Sequence, residues 1–370
     1  MTETALPPRA GNGEAAPARR RYVAYAGKLL LSCGFGALLL WSLHEGGVPL
    51  VPPSSTFAGT RWWTVPVYVA LLAVSAYFRA VRWRLLLRPI AHVSAARATH
   101  AVMVGTAAVL LLPFRLGEMA RPYLIARDPR VPLLGAVGTV VAERIIDGLV
   151  LSLILGAALL LAPASVPAST LVVGLPVPIG VVRGYAWTFL LIFAVALTVL
   201  VAAHATRGCS VSLVRSVVGR LSPRLADVMA TKLDRLGSGL DFFRHRRLAA
   251  RFLGETGLYW GSAALAFWLL AWGVGVTHAD ETAMTFGEAC AVMGVISIAS
   301  VLPGPPGLLG LFQTGAYAAM TMYFPTDVIT GRGSAYVFLL YALQMSTSLG
   351  AAAICLLLDA FVRHRMSVSQ

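Results

Sequence analysis

The chain has 370 residues, 58% of them hydrophobic and only 12% charged, with a mean hydropathy of +0.76. A soluble domain carries about 25% charged residues, so this composition excludes an ordinary soluble enzyme and points to an all-α polytopic membrane protein. The net charge of +14 is dispersed between apolar runs, which reads as membrane topology and contact with anionic lipid, not as nucleic-acid binding.

Residues 1–21 are rich in Pro, Ala and Arg and are expected to form a disordered cytoplasmic N-terminus. The apolar run from Tyr22 to Leu43 has the length of a full span and no clear small-residue cleavage site, so it does not read as a removable signal. A bilayer core requires about 20 apolar residues. Six runs meet this: 22–43, 64–87, 131–162, 184–204, 252–275 and 334–358. Two further apolar blocks, 98–127 and 286–323, break near their middles at "LPFRLGE" and "LPGPPGLLG". Between 207 and 251 lies a basic segment with ten Lys and Arg against three acids. Within it, Leu225, Met229, Leu233, Leu236, Leu240 and Phe243 recur at helical spacing, as expected of a helix on the inner leaflet or on the protein's own spans. Residues 359–370 form a tail.

Basic residues orient these elements. Arg19, Arg20 and Arg21 precede the first span, and Arg79, Arg82, Arg84, Arg88 and Arg97 follow from the end of the second. If block 98–127 turns back instead of crossing, Arg127 and Arg130 stay on the same side, as do the 207–251 segment, Arg363 and Arg365. Only Arg61, Arg183 and Arg332 then lie outside, a bias that sets both termini in the cytoplasm. The two broken blocks are therefore expected to be re-entrant hairpins, one from each side, with six full spans, or eight if hairpins are counted. Counting each hairpin arm as a span keeps the same sidedness. Residues 22–162 and 184–358 each read span, span, hairpin, span, inverted relative to each other across one membrane domain over 22–358. Inverted repeats with broken helices are common in transporters, which hold their sites near the midplane between the repeats.

Charges inside such a chain are costly and call for partners. The first hairpin carries Arg115, Glu118 and Arg121 beyond Pro113 and Gly117; "VVAERIIDGLV" carries Glu143, Arg144 and Asp147. Spacings of three and four allow pairing within each helix. The two sets sum to zero, which suits one buried network. Such a network is either a clamp that fixes the hairpin to the 131–162 helix or, in addition, a site whose guanidiniums hold an anionic head group. In the second hairpin, Pro303, Gly304, Pro306, Gly307 and Gly310 break the helix, and a restart after Gly307 would turn amides toward the break. Gln313 is the strongly polar side chain beside it. Trp62, Trp63, Trp83 and Trp187 are expected near the membrane interfaces. The four cysteines and the dispersed histidines show no metal-ligand spacing, and no cofactor is implied.

"LPFRLGEMAR", then "ERIIDGLVL" and late in the chain "PGLLGLFQ" resemble the flippase-like membrane domain of the lysylphosphatidylglycerol synthase/flippase family. That family carries L-P-x-R-x-G-E-x-x-R, E-R-x-x-D and P-G-G-x-G-x-x-E. The third motif departs here: Leu308 stands at the second Gly and Gln313 at the Glu. The resemblance implies a multi-pass protein of the bacterial inner membrane that moves phospholipid or lipid-linked anionic molecules between leaflets. Pro113, Arg115, Gly117, Glu118, Arg121, Glu143, Arg144 and Asp147 would form its polar centre, with Gly307 and Gln313 alongside. The synthase members add a soluble aminoacyl-transferase domain, which a chain ending at Gln370 is expected to lack, so no enzyme activity is expected. An integral-membrane transferase acting on a lipid-linked substrate, a non-transporting scaffold and assembly with a second copy stay open.

Overall fold

The computed structural model describes residues 15–49, 51–162, 179–206, 245–301 and 304–368, with scattered positions between 207 and 244. Pro303, Cys209 and most of the helix expected over 225–243 lie outside the described residues. Helix α1 runs Ala15–Glu45, α2 Thr64–Leu87, α3 Ala95–Leu111, α4 Ala120–Ile125, α5 Leu133–Leu161 and α6 Ile179–Ala205. The second half continues with α7 Arg246–Val274, α8 Phe286–Ala299, α9 Leu311–Met320 and α10 Ser334–Val368. Among the described residues, four helical stretches are long and apolar enough to cross a bilayer: α2, α5, α7 and Thr326–Phe361, which takes in most of α10. Shorter apolar stretches lie within α1 and α6, at Leu29–Glu45 and Trp187–Val199. Helix α1 begins at Ala15, inside the segment expected to be disordered, because Ala and Arg favour helix and Pro17 falls in the first turn, where its missing amide proton costs no helical hydrogen bond.

The broken blocks fold as hairpins. Helix α3 is capped by Ser94, whose side chain accepts from the Arg97 amide, and it stops at Leu111 because Leu112, preceding Pro113, is extended. The chain then turns through a 3-10 helix, Pro113–Met119, into the six residues of α4. At 1.5 Å per residue α4 is about 9 Å long, too short to cross. The return arm lies directly on α3: a Cβ on Gly117 would fall on the backbone of Ala108 and Val109. In the second half α8 has 14 residues and α9 has 10, joined by the Pro-Gly turn.

Each hairpin packs against the other half. Helix α3 lies on α10, α8 lies on α5, and α2 pairs along its length with α7. The halves thus exchange their hairpins. Helix α1 crosses both hairpin turns; Ser32 donates to the Gly304 carbonyl at 2.9 Å. One apolar core joins α2, α5, α7, α8, α9 and α10, and a second lies around Trp83, Leu86, Val102, Ile125 and Val140. Trp62, Trp63 and Trp187 are exposed, but Trp83 is fully buried, a departure from its expected interfacial position.

Two of the three arginines expected outside have a structural task. Arg61 donates to the Trp272 carbonyl at 2.9 Å and covers that indole at 3.9 Å. Arg332 donates to the Gly275 carbonyl at 3.2 Å. Both cations meet the C-terminal carbonyls of α7, where the helix dipole favours them. At the turn between α4 and α5, Asp128 accepts from Arg130 and Arg97, and its hydrogen bonds to Arg130 hold the carboxyl well below the usual carboxylate range.

Candidate functional site

Where the halves meet, five arginines and three acids come together. Three of the arginines were anticipated at the site; the other two, Arg79 and Arg82, sit one turn apart on α2 in "FRAVRWR". Arg82 is fully buried. Its Nη1 reaches Asp147 Oδ1 at 2.5 Å and its Nη2 reaches Asp147 Oδ2 at 2.7 Å and Glu143 Oε1 at 2.9 Å. The Arg121 Nη2 contacts the other Glu143 oxygen at 3.0 Å, and Trp260 donates to Asp147 at 3.3 Å. Both guanidiniums lie over aromatic rings: Arg82 is 4.3 Å from the Tyr259 centroid and Arg121 is 4.6 Å from that of Trp83. A side chain at Gly105 would meet the stem of Arg121, so the glycine leaves α3 open for Arg121 to pass toward Glu143. The result is a dry clamp that ties α2 and α4 to α5.

Beside the clamp is a cavity of about 500 Å³. Its charged lining comprises Arg79, Arg115, Glu118, Arg144 and Asp147. Arg115 pairs with Glu118 at 2.8 Å and donates to the Ser300 carbonyl at 2.9 Å, so the first hairpin touches the end of α8. Arg144 meets Glu143 at 3.7 Å, the longest ion pair of the group, while Arg79 makes no ion pair among the described residues. Leu308 and Phe312 supply apolar wall from the second hairpin. A second cavity of about 420 Å³ lies between α2, α3 and α10 and shares Leu72, Ser75, Arg79, Thr106, Gln344 and Ser348 with the first. Its lining includes the exposed Tyr77 and Ile354.

Arg115 and Leu308 share a backbone feature. Each sits at a hairpin turn with a positive φ, 57° and 56°, where a residue with a side chain is strained by roughly 1–2 kcal/mol. Both line the cavity. Strain at an irregular turn that aims side chains into one space is more typical of a site than of plain scaffolding.

The chain belongs to the lysylphosphatidylglycerol synthase transmembrane-region family. The family's sequence model matches residues 27–345, which takes in every helix from α2 to α9, most of α1 and the first part of α10. No curated protein and no solved structure matches the chain. All three motifs that carry the resemblance meet at the cavity or the clamp. They separate by burial: Arg115, Glu118 and Arg144 are partly exposed and line the cavity, Arg121 and Glu143 are enclosed in the clamp, and the buried Asp147 belongs to the clamp while also forming part of the cavity wall.

Several sequence expectations change. The six motif charges do not stand alone: Arg79 and Arg82 join them from α2, and the enlarged group is no longer neutral. Those two arginines stood in a cluster that served as a topology signal, yet both lie inside the run 64–87, and their i,i+3 spacing places them on one helical face. Glu118 does not pair with Arg121, which Glu143 takes instead. The second hairpin restarts its helix after Gly307, but not directly. A 3-10 turn, Pro306–Leu308, intervenes, α9 begins at Leu311, and the Gly310 amide is capped by Gln313 Oε1 at 2.8 Å. Neither Gly307 nor Gln313 lines the cavity; the Gly307 carbonyl accepts from Tyr341 at 3.0 Å.

Proposed function

We propose that the protein moves phospholipid or lipid-linked anionic molecules between the leaflets of a bacterial cytoplasmic membrane, with both termini in the cytoplasm. The observation that carries this reading is a pair of unlike cavities that share lining residues. One is lined by arginines at the meeting of both hairpins; the other is flanked by exposed residues of α2 and α10. A head group bound at the first leaves its acyl chains a way to the bilayer through the second. Guanidiniums match phosphate oxygens in number and geometry, and the surrounding apolar wall strengthens each contact. In this reading the protein binds and carries its lipid and makes no bond.

The test is leaflet exchange of a fluorescent anionic lipid in proteoliposomes. Arg115→Ala and Arg144→Ala are expected to reduce the protein-dependent rate at least tenfold while the protein still elutes as a folded species. Wild-type rates in both variants would overturn the reading.

A further inference from the structure

The charges at the site do not balance. Among the described residues, Arg79, Arg82, Arg115, Arg121 and Arg144 face Glu118, Glu143 and Asp147, leaving two positive charges in excess. The three carboxylates are already engaged. Glu118 is held by Arg115, Asp147 by both nitrogens of Arg82, and Glu143 by Arg82 and Arg121. The excess therefore falls on the two least engaged guanidiniums, Arg79 and Arg144, and both line the cavity. The Nε atoms of all five arginines are buried without a hydrogen-bond partner, so it is the weaker pairing of their terminal nitrogens that sets Arg79 and Arg144 apart. Cations in excess of the carboxylates around them, within a membrane domain, are costly unless an anion joins them.

Resting on the transport reading above, we infer that the cavity is built for a head group with two negative charges on a terminal phosphate: a phosphomonoester lipid. A phosphodiester lipid supplies one negative charge and leaves the site at plus one. A zwitterionic lipid leaves it at plus two. A dianionic terminal phosphate neutralises it and offers three oxygens, enough for Arg79 and Arg144 to bind separate edges. A phosphomonoester loses its second proton near pH 6, so the preference has a pH signature set by the ligand. The chemistry is shared by diacylglycerol phosphate and by a polyprenyl monophosphate. The adjoining cavity between α2, α3 and α10 is where the two would differ, since one brings two chains and the other brings one.

The test is equilibrium binding to the full-length protein in neutral detergent, read by native mass spectrometry. The ligands are phosphatidate, a polyprenyl monophosphate, phosphatidylglycerol and phosphatidylcholine, measured at pH 8 and pH 5. At pH 8 at least one phosphomonoester is expected to bind about tenfold more tightly than phosphatidylglycerol, and phosphatidylcholine more weakly than either. At pH 5 the gap between monoester and diester is expected to narrow to about twofold. Arg79→Gln and Arg144→Gln should each bring the pH 8 preference down to that level. Whichever monoester binds more tightly identifies the source. Equal binding of monoester and diester lipids by the wild type at pH 8 overturns the inference, as does a preference that survives both substitutions. The wild-type pH comparison stands even if a variant does not fold. Selective binding without leaflet exchange would sink the transport reading and keep this one; exchange without charge selectivity would do the reverse.

Discussion

The clamp and the cavity use the same residue types to opposite ends. In the clamp, Arg82, Arg121, Glu143 and Asp147 are 5% exposed or less, and each carboxylate takes at least two donors. In the cavity, Arg115 and Glu118 keep 22% and 29% of their side chains exposed and Arg144 keeps 32%. Buried ion pairs contribute little net stability, but removing one partner leaves a charge stranded. A half-paired arginine beside an open cavity is free to exchange its partner for a ligand. Burial and pairing, not residue type, separate the part that holds the fold from the part able to bind.

That division can be broken at its strongest point first. Glu143→Ala would leave Arg121 without its carboxylate and Arg82 with Asp147 alone. A loss of about 3–5 kcal/mol is expected for such a stranded buried charge, seen as a large fall in the thermal midpoint in detergent. A variant as stable as wild type would show that the clamp is not structural. Gly117→Ala comes next. Its new Cβ would meet the Ala108 backbone, which has no flexible end to move aside, so the return arm must lift from α3. Overpacking of this kind costs about 1–3 kcal/mol, and the displaced Arg115 should also lose lipid binding. Unchanged binding would separate the cavity from the hairpin packing.

Leu308→Gly has the smallest expected effect on stability and sharpens the comparison most. Glycine relieves the strained φ, a gain of roughly 1–2 kcal/mol, while losing apolar contact and raising unfolded-state freedom by a similar amount. The net change is expected to stay within about 1 kcal/mol. The cavity would nevertheless widen, and lipids with bulkier head groups should compete better. An unaltered rank order of lipids in a competition assay would show that Leu308 does not bound the head-group space.

Much of this architecture is legible in the sequence, for physical reasons that differ from element to element. The span expected over 64–87 coincides with α2, Thr64–Leu87, because continuous apolar residues leave the backbone little alternative in a bilayer. The "LPFRLGE" break is legible because Pro113 forces Leu112 out of the helix. The charge network was only half legible. Local spacing predicts pairs within one helix, and Arg115 with Glu118 fits that, but Arg82 with Asp147 joins residues 65 positions apart. A rule that counts arginines at the end of a span has no means of knowing that one of them turns inward. The role of Gln313 depended likewise on where α9 begins, since a start at Leu311 makes it the residue that caps Gly310.

The most direct measurement is high-resolution density of the protein in nanodiscs prepared with a phosphomonoester lipid. The account predicts phosphate density within hydrogen-bond reach of Arg79 and Arg144, with Arg82 and Arg121 still paired to Glu143 and Asp147. Phosphate seated on Arg82 or Arg121, or a cavity holding only water at saturating lipid, would contradict it.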